Sequence, residues 1–380
     1  MMLDEETLYW VAFSLIKGIG AVRFRYLLSE FGTMRNAWEA TPSALAKAGL
    51  SPKLVQNLLD LRSQIQLSQL KEQLVAAGIQ VITWQDESYP RRLKEIDQPP
   101  PVLYVRGEIK AEDEIAVAVV GTRRLTAYGR QIAEEIARGL AQNGVCVVSG
   151  MARGVDAVAH EAALDSGGRT LAILGSGVDK VYPPEHRKLA ERIVRQGALV
   201  SDYPPGTEPD AANFPPRNRI ISGLSLAVVV VEAGEKSGAL ITASFAADQG
   251  RDVFAVPGNI KAPQSVGTNR LIQKGAYPFM SVDDLLETLD ITVMHQQQAA
   301  RKVLPADATE ARVVQVLHDQ PQHVDEIARQ AGMPVAQVSS ALTMLELKGL
   351  AKSVGGMSYV AAREAGGEYA VNPQKEEGVG

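Results

Sequence analysis

Ile115-Ala116-Val117-Ala118-Val119-Val120-Gly121-Thr122-Arg123-Arg124 opens the stretch of sequence that decides the fold. Its first six residues are apolar and rich in β-branched types, which predicts a parallel strand buried on both faces. Gly129 is expected to close the turn, and apolar residues at helical spacing then predict a helix over 128–144. A second buried strand, 145–148, runs into Ser149-Gly150 and another helix. The repeated order of strand, glycine turn and helix predicts a right-handed parallel α/β unit.

The two glycine turns, at Gly121 and at Ser149-Gly150, are expected to lie side by side, because parallel strands end at the same edge of a sheet. Free backbone N–H groups and helix dipoles at that edge favour an anion, most often phosphate. Arg123 stands where a dinucleotide-binding turn would carry its second glycine, which favours a phosphate chain over NAD. The alternative is that the glycines only form tight turns and the arginines form a solvated rim.

The alternation of strands and helices continues to the end of the α/β region. Further strands are predicted at 170–174, 198–201, 226–232 and 253–256, and short strands at 79–84 and 102–105 are expected to extend the sheet at one edge. At least four strand ends carry glycine turns, and three of them bring Arg or Lys. One such turn, at 232–238, contains Lys236-Ser237-Gly238. Together these turns predict an anion-binding edge of the sheet.

A proline-rich stretch, Phe214-Pro215-Pro216-Arg217-Asn218-Arg219, precedes a helix. Two prolines fix φ and favour an extended, rigid lead-in. In an extended turn, Arg217 and Arg219 would share a side and straddle one nucleic-acid backbone segment, and Asn218 would hydrogen-bond a neighbouring loop or a base edge. The alternative is that one arginine forms a structural ion pair, with Glu232 or Asp202.

Composition narrows the class of protein. The 380 residues are 46% hydrophobic and 22% charged, which is ordinary for a soluble chain of two or three domains. The net charge of −5 means that nucleic-acid binding would need a local basic patch. With an acidic N-terminus and no apolar run of transmembrane length, the expected compartment is the cytoplasm. Cys146 is expected to be a small core residue.

Asp156 and His160 lie four residues apart on one predicted helix face, a spacing that suits a metal or a general base. A helix-capping Asp and a packed His are the favoured interpretation, because no third ligand or nucleophile is near in sequence. The sequence shows no P-loop, no zinc spacing and no paired-carboxylate signature.

The two ends of the chain are predicted to be helical units. The turn Gly18-Ile19-Gly20 is typical of a helix-hairpin-helix, which contacts DNA phosphates without reading sequence; the alternative is a helical interaction module. Residues 306–361 have the order of a winged helix-turn-helix. Its recognition helix offers Gln337, Ser339, Ser340 and Thr343, with Lys348 only at its end, which favours protein contact over base readout.

Several motifs, in order along residues 89–276, resemble the DNA-processing protein A (DprA, or Smf) family of bacteria. They are Val120-Gly121-Thr122-Arg123, Ser149-Gly150-x-x-x-Gly154-x-Asp156-x-x-Ala159-His160, Phe214-Pro-x-Arg217-Asn218-Arg219, Ser237-Gly238-x-Leu240-Ile241-Thr242, Pro257-Gly258 and Gly267-Thr268-Asn269. The resemblance implies a single-stranded DNA-binding protein that protects incoming DNA during natural transformation and loads the RecA recombinase. It also implies a homodimer and a protein that is not an enzyme.

The fold class expected from residues and resemblance together is α/β, with a Rossmann-like, mostly parallel sheet core. An N-terminal helical (helix-hairpin-helix/SAM-like) domain and a C-terminal winged-helix domain flank it. The expected boundaries are 1–75 for the helical domain, 76–290 for the DNA-binding domain, 291–305 for a linker, 306–362 for the winged helix and 363–380 for a disordered tail.

The expected DNA-binding residues are Gly121, Thr122, Arg123, Ser149, Gly150, Arg153, Arg187, Phe214, Arg217, Asn218, Arg219, Lys236, Ser237 and Gly238. Family members often carry a basic residue directly after the Tyr-Pro of the third βα loop; here that residue is Pro184, with Arg187 and Lys188 slightly later. No catalytic residue, metal, cofactor or membrane contact is expected. The competing class is a nucleotide hydrolase with Glu232 as acid or base, and a pure scaffold would bind no phosphate at all.

Overall fold

The structure is a computed structural model that describes residues 4–291, 294–295, 308–318, 320–347 and 350–361. The chain forms two compact units, Met1–Leu289 and Asp290–Gly380. The predicted tail lies outside the described residues, as does the predicted linker apart from residues 291, 294 and 295. Within the described ranges, none of the helices combines the length and the apolar character needed to cross a bilayer.

The first unit begins with short helices, as predicted. They are α1 (Glu5–Ser14), α2 (Ala21–Phe31), α3 (Met34–Glu39), α4 (Pro42–Lys47), α5 (Pro52–Gln64) and α6 (Leu67–Ala76). The α1–α2 turn bends at Gly18, whose φ of +100° is a conformation that favours glycine. Trp10 and Phe13 of α1 are fully buried in the same cluster as Tyr104 and Leu199 of the sheet. The helical region therefore shares its core with the α/β region.

A nine-stranded sheet forms the centre of this unit. Its strands are β1 (Gln80–Thr83), β2 (Val102–Gly107), β3 (Ala116–Val120), β4 (Cys146–Ser149), β5 (Thr170–Ile173), β6 (Ala198–Ser201), β7 (Ala227–Val230), β8 (Asp252–Ala255) and β9 (Tyr277–Pro278). They lie in the order β1-β2-β6-β5-β4-β3-β7-β8-β9. From β6 to β9 all neighbours are parallel, whereas β1 and β2 pair antiparallel at one edge. The predicted sheet and its edge extension are confirmed.

The direction in which strands are added reverses at β3. The strands β4, β5 and β6 follow on one side of it, and β7, β8 and β9 follow on the other. Such a reversal leaves a crevice outside the carboxyl ends of the two strands at the switch point, which is where open α/β sheets bind ligands. The topology therefore predicts a ligand site at the loops after β3 and β7.

Helices cover the sheet. They are α7 (Arg91–Lys94), α8 (Ala127–Gln142), α9 (Val155–Asp165), α10 (Arg187–Gln196), α11 (Phe214–Gly223), α12 (Ala239–Asp248), α13 (Val266–Gln273) and α14 (Val282–Thr288). Buried residues of α9 and α10 pack with Leu199, and those of α11 and α12 pack with Val120 and Val230. Cys146 lies fully inside, as predicted, and burial raises the pKa of its thiol.

Two local predictions are wrong. Residues 214–219 form the first part of α11 rather than an extended lead-in to it, because Pro215 and Pro216 occupy the first turn of the helix, where a missing N–H costs nothing. Gly129 does not close the turn after β3 but lies inside α8, where the Glu232 carboxylate packs so closely that a β-carbon would collide with it.

The second unit is a winged helix, as predicted. Its helices are α15 (Ala308–Val316), α16 (Val324–Ala331) and α17 (Val335–Leu347), and its strands are β10 (Gln322–His323), β11 (Ala351–Gly355) and β12 (Ser358–Ala361). The strands form a sheet in the order β10-β12-β11. Val313, Ile327 and Leu342 are fully buried in its core. Lys348, at the end of the predicted recognition helix, lies outside the described residues.

Candidate nucleic-acid interface

A cavity of about 720 Å³ lies at the carboxyl ends of β3 and β7, at the switch point of the sheet. Nine of the predicted site residues line it: Gly121, Thr122, Arg123, Phe214, Arg217, Asn218, Lys236, Ser237 and Gly238. Ser149, Gly150, Arg153, Arg187 and Arg219 do not. We call this space the first cavity.

Backbone hydrogen bonds fix the loop after β3 to its neighbours on both sides. The amide of Thr122 donates to the Glu232 carbonyl at 2.8 Å, and the amide of Val155 donates to the Thr122 carbonyl at 3.2 Å. A side chain at Gly121 would meet a Val155 methyl group at 2.5 Å, so glycine is required for this packing. The loop is therefore held rigidly, and Arg123 projects from a fixed backbone.

Three exposed cations line the first cavity: Arg123, Arg124 and Lys236. In the part of the chain that the structure describes, none of the three has a carboxylate within 4.0 Å. Cations without a protein counter-ion attract a phosphate without first breaking an internal pair. The cavity edge therefore has the electrostatics of an anion site, although the whole chain is acidic.

An aromatic pair forms part of the cavity wall. The rings of Tyr182 and Phe214 lie 5.9 Å apart between centroids, and the Arg123 guanidinium lies 5.7 Å from the centroid of Phe214. Tyr182 is 39% exposed, so its ring is available to a ligand. Tyr182 is not among the predicted site residues, because basic residues are the only signal that the sequence analysis uses in this loop.

Arg217 holds the frame of the cavity rather than projecting into it. Its side chain is 4% exposed, and its Nη1 donates to the carbonyls of Gly150, at 2.8 Å, and Ile173. Burial lowers the pKa of Arg217 to about 10, so the guanidinium stays charged at neutral pH. Burial also raises the pKa of the Asp156 carboxyl, an effect that the nearby Arg217 charge opposes. Arg217 thus joins the ends of β4 and β5 to α11.

Two other predicted residues belong to the same frame. Ser149 is fully buried and donates its hydroxyl to the Val119 carbonyl at 2.7 Å, which ties β4 to β3. The Asn218 amide is 3.4 Å from the Gly238 carbonyl, so it contacts a neighbouring loop, as one of its predicted roles required. Neither residue extends a polar group freely towards the solvent.

The remaining predicted arginines lie away from the first cavity. Arg219 pairs with Asp202 at 2.9 Å, as the alternative interpretation stated, and helical geometry turns it away from Arg217. The prediction that these two arginines share a side is therefore wrong. Arg153 pairs with Glu185 at 2.6 Å, and Arg187 lines a different cavity.

Glu232, the acid or base of the competing hydrolase interpretation, is engaged inside the protein. It is 4% exposed, and its carboxylate accepts bonds from the Thr126 amide at 2.9 Å and the Thr126 hydroxyl at 2.5 Å. It does not line the first cavity. The side chain anchors the start of α8 instead of facing a substrate.

His160 and Asp156 behave as a packed histidine and a local acceptor. His160 is fully buried with its Nδ1 2.6 Å from the Thr170 hydroxyl, and burial lowers its pKa to about 3, so the ring is neutral at pH 7. Asp156 accepts from the Ala152 amide at 3.1 Å. Among the residues that the structure describes, no group of three or more His, Cys, Asp or Glu side chains is arranged to hold a metal ion.

Comparisons with known proteins agree with this architecture. Residues 80–290 match the family of DNA recombination-mediator protein A, and residues 297–357 match the DprA winged helix domain. Protein Smf of Synechocystis is 35% identical, over 94% of this chain and 99% of its own length; Protein Smf of Escherichia coli is 41% identical, over 73% and 76%.

Two solved structures also match this chain. DNA processing protein A from Streptococcus pneumoniae superimposes with a TM-score of 0.66 at 33% identity, over 76% of this chain and 98% of that one. DNA processing protein A from Helicobacter pylori, described for its single-stranded DNA binding mode, gives a TM-score of 0.51 at 33% identity, over 56% and 97%. The order of motifs, the sheet topology, the winged helix and these matches lead to one conclusion: the chain belongs to the DNA-processing protein A (DprA/Smf) family.

Proposed function

We propose that this protein binds single-stranded DNA in the first cavity. The observation that carries the proposal is the combination of three cations without a protein counter-ion, Arg123, Arg124 and Lys236, with the ring pair of Tyr182 and Phe214 in one cavity. The single-stranded DNA binding mode reported for the Helicobacter pylori relative supports it.

The cations and the aromatic rings recognise different parts of the DNA strand. The cations contact the phosphates, which carry charge but no sequence information. The exposed Tyr182 ring, which packs against Phe214, offers a face on which an unpaired base stacks, worth roughly 1–3 kcal/mol per base. A base in a duplex is already stacked and paired, so reaching these rings would require taking it out of the helix. The site therefore favours single strands without selecting a sequence.

We propose the wider role on the basis of family membership. The proposal includes protection of incoming DNA during natural transformation, loading of RecA, a homodimer and a location in the cytoplasm. Light scattering tests the homodimer, and the rate of RecA filament assembly on protein-coated single strands tests the loading. The winged-helix unit is proposed to contact protein, since Gln337, Ser339, Ser340 and Thr343 of α17 carry no charge.

We propose binding rather than hydrolysis because Glu232 is buried against Thr126 and away from the cavity. The hydrolase interpretation predicts release of phosphate from mononucleotides, with loss of that activity in Glu232→Gln. Incubation with nucleoside mono- and triphosphates, followed by a phosphate assay, separates the two classes. Phosphate release by the purified protein that disappears in Glu232→Gln would overturn the binding proposal.

Arg123→Ala is expected to weaken single-strand binding and to reduce the dependence of log Kd on log salt concentration by about 0.7, the value for one phosphate contact on a single strand. Fluorescence anisotropy with a labelled oligothymidylate across a salt series measures both quantities. Arg138→Ala is the matched control, because Arg138 is exposed on α8 and lies outside the cavity. An unchanged affinity and slope in Arg123→Ala would exclude a phosphate contact by this side chain.

A further inference from the structure

A second cavity, of about 620 Å³, adjoins the first. Tyr182 and Pro209 line both cavities, so the two spaces meet at these residues. The second cavity lies between β2, β6 and α10, away from the switch point of the sheet. A DNA strand that leaves the first cavity past Tyr182 would enter the second cavity without crossing an intervening helix.

Arg106 reaches this cavity because of its register in β2. Side chains alternate between the two faces of a strand, so Arg106 shares a face with Tyr104, which belongs to the same core cluster as Leu199 and the buried residues of α10. Arg106 lies opposite Leu199 in the antiparallel pairing of β2 with β6. It is therefore the polar end of an otherwise apolar row, beside α10.

The helix α10 supplies a second row of charge. Arg187, Glu191 and Arg195 recur every four residues, which places them along one side of the helix, and all three line the cavity. Within the described residues, no carboxylate lies within 4.0 Å of Arg106, Arg187 or Arg195.

The other charged groups of the cavity are already engaged. Lys180 pairs with Glu208 at 2.7 Å, and both oxygens of Asp179 accept from the Gly206 amide, at 2.9 and 3.0 Å. With Lys180 and Glu208 balancing each other, three arginines face two carboxylates, Asp179 and Glu191, which leaves one net positive charge on the cavity lining. The remaining excess of positive charge suits a polyanion.

We propose that the second cavity binds the phosphodiester backbone of the same DNA strand after it leaves the first cavity, with Arg106, Arg187 and Arg195 as phosphate contacts. The inference rests on the proposed function, since the first cavity must hold single-stranded DNA. Tyr182 stands where the two cavities meet, so one strand passes its ring on the way between them. The second cavity contributes affinity only when the strand is long enough to reach it.

The test compares Arg106→Ala/Arg195→Ala with the parent protein on labelled oligothymidylates of about 4 and about 16 nucleotides, which span the usual range of single-strand site sizes. The double variant should bind the long strand roughly tenfold more weakly, with a salt slope lower by about 1.4 for two lost contacts. Its affinity for the short strand should be unchanged. The matched control is Arg138→Ala/Lys188→Ala, which removes two exposed cations that line neither cavity.

The outcomes separate this inference from the proposed function. If the parent protein binds neither oligonucleotide, single-strand binding in the first cavity is excluded, and so is the role of the second cavity. If the parent binds both and the double variant loses nothing on the long strand, or loses affinity equally on both lengths, only the second cavity is excluded. Arg106→Lys/Arg195→Lys, which keeps the charge, should restore most of the affinity for the long strand; thermal melting of each variant excludes loss of folding.

Discussion

Arg217→Ala is expected to lower the free energy of unfolding by about 3–5 kcal/mol, the usual cost of leaving a buried charge without its compensating charge. The substitution leaves the Asp156 charge buried without the nearby guanidinium charge and removes the hydrogen-bond donor to the carbonyls of Gly150 and Ile173. Urea unfolding measures the change, with Arg138→Ala as a surface control expected within about 0.5 kcal/mol of the parent. If Arg217 contacted DNA instead, the variant would be as stable as the parent and would only lose binding.

The stability deficit of Arg217→Ala should also depend on pH. Burial already raises the pKa of Asp156, and loss of the neighbouring positive charge raises it further. A native pKa above the unfolded value means that the native state binds the proton more tightly. The deficit should therefore shrink as the pH falls from neutral towards the unfolded value of about 3.9. A deficit that is constant with pH would contradict the role given to Asp156.

Gly154→Ala is expected to destabilise the protein by about 2–5 kcal/mol, from backbone strain and a steric collision together. Gly154 has a φ of +83°, and a β-carbon there would collide with the Thr122 carbonyl and lie 2.8 Å from backbone atoms of Arg123. Because the loop after β3 carries Arg123, any folded variant should also bind single strands more weakly. Thermal unfolding and anisotropy measure the two effects.

Gly238→Ala is the control for this prediction. Gly238 lines the same cavity, has a φ of −61°, and has open space where a β-carbon would lie. Its replacement should leave the stability within about 0.5 kcal/mol of the parent. Equal stabilities for the two glycine variants would show that the close approach of the β3 and β4 loops does not support the cavity.

Much of the fold follows from local patterns. The strand before Gly121 and the helix before Gly144 are encoded by runs of β-branched residues and by helical spacing, and both lie where these patterns predict them. The anion-binding edge could also be predicted, because glycine turns that end parallel strands meet at one edge whatever the order of the strands. Gly121, Arg123 and Lys236 are brought together for that reason.

The roles of the arginines could not be predicted, because they depend on which helix faces which loop. Arg217 and Arg219 follow the same prolines, yet Arg217 is buried and donates to the Gly150 carbonyl, whereas Arg219 pairs with Asp202. A pair of prolines is compatible both with the first turn of a helix and with an extended segment. Only tertiary packing decides which of the two conformations forms. Tyr182 likewise joins the site through its contact with Phe214, a residue 32 positions later in the sequence.

The most direct test of single-strand binding is fluorescence anisotropy of the unsubstituted protein with single-stranded and double-stranded oligonucleotides of one sequence, over a range of salt concentrations. The expected result is tighter binding of the single strand, with a salt slope of magnitude about 2 or more, since the three cations of the first cavity each contribute about 0.7. Equal or tighter binding of the duplex, or an affinity for the single strand that does not change with salt, would contradict the account.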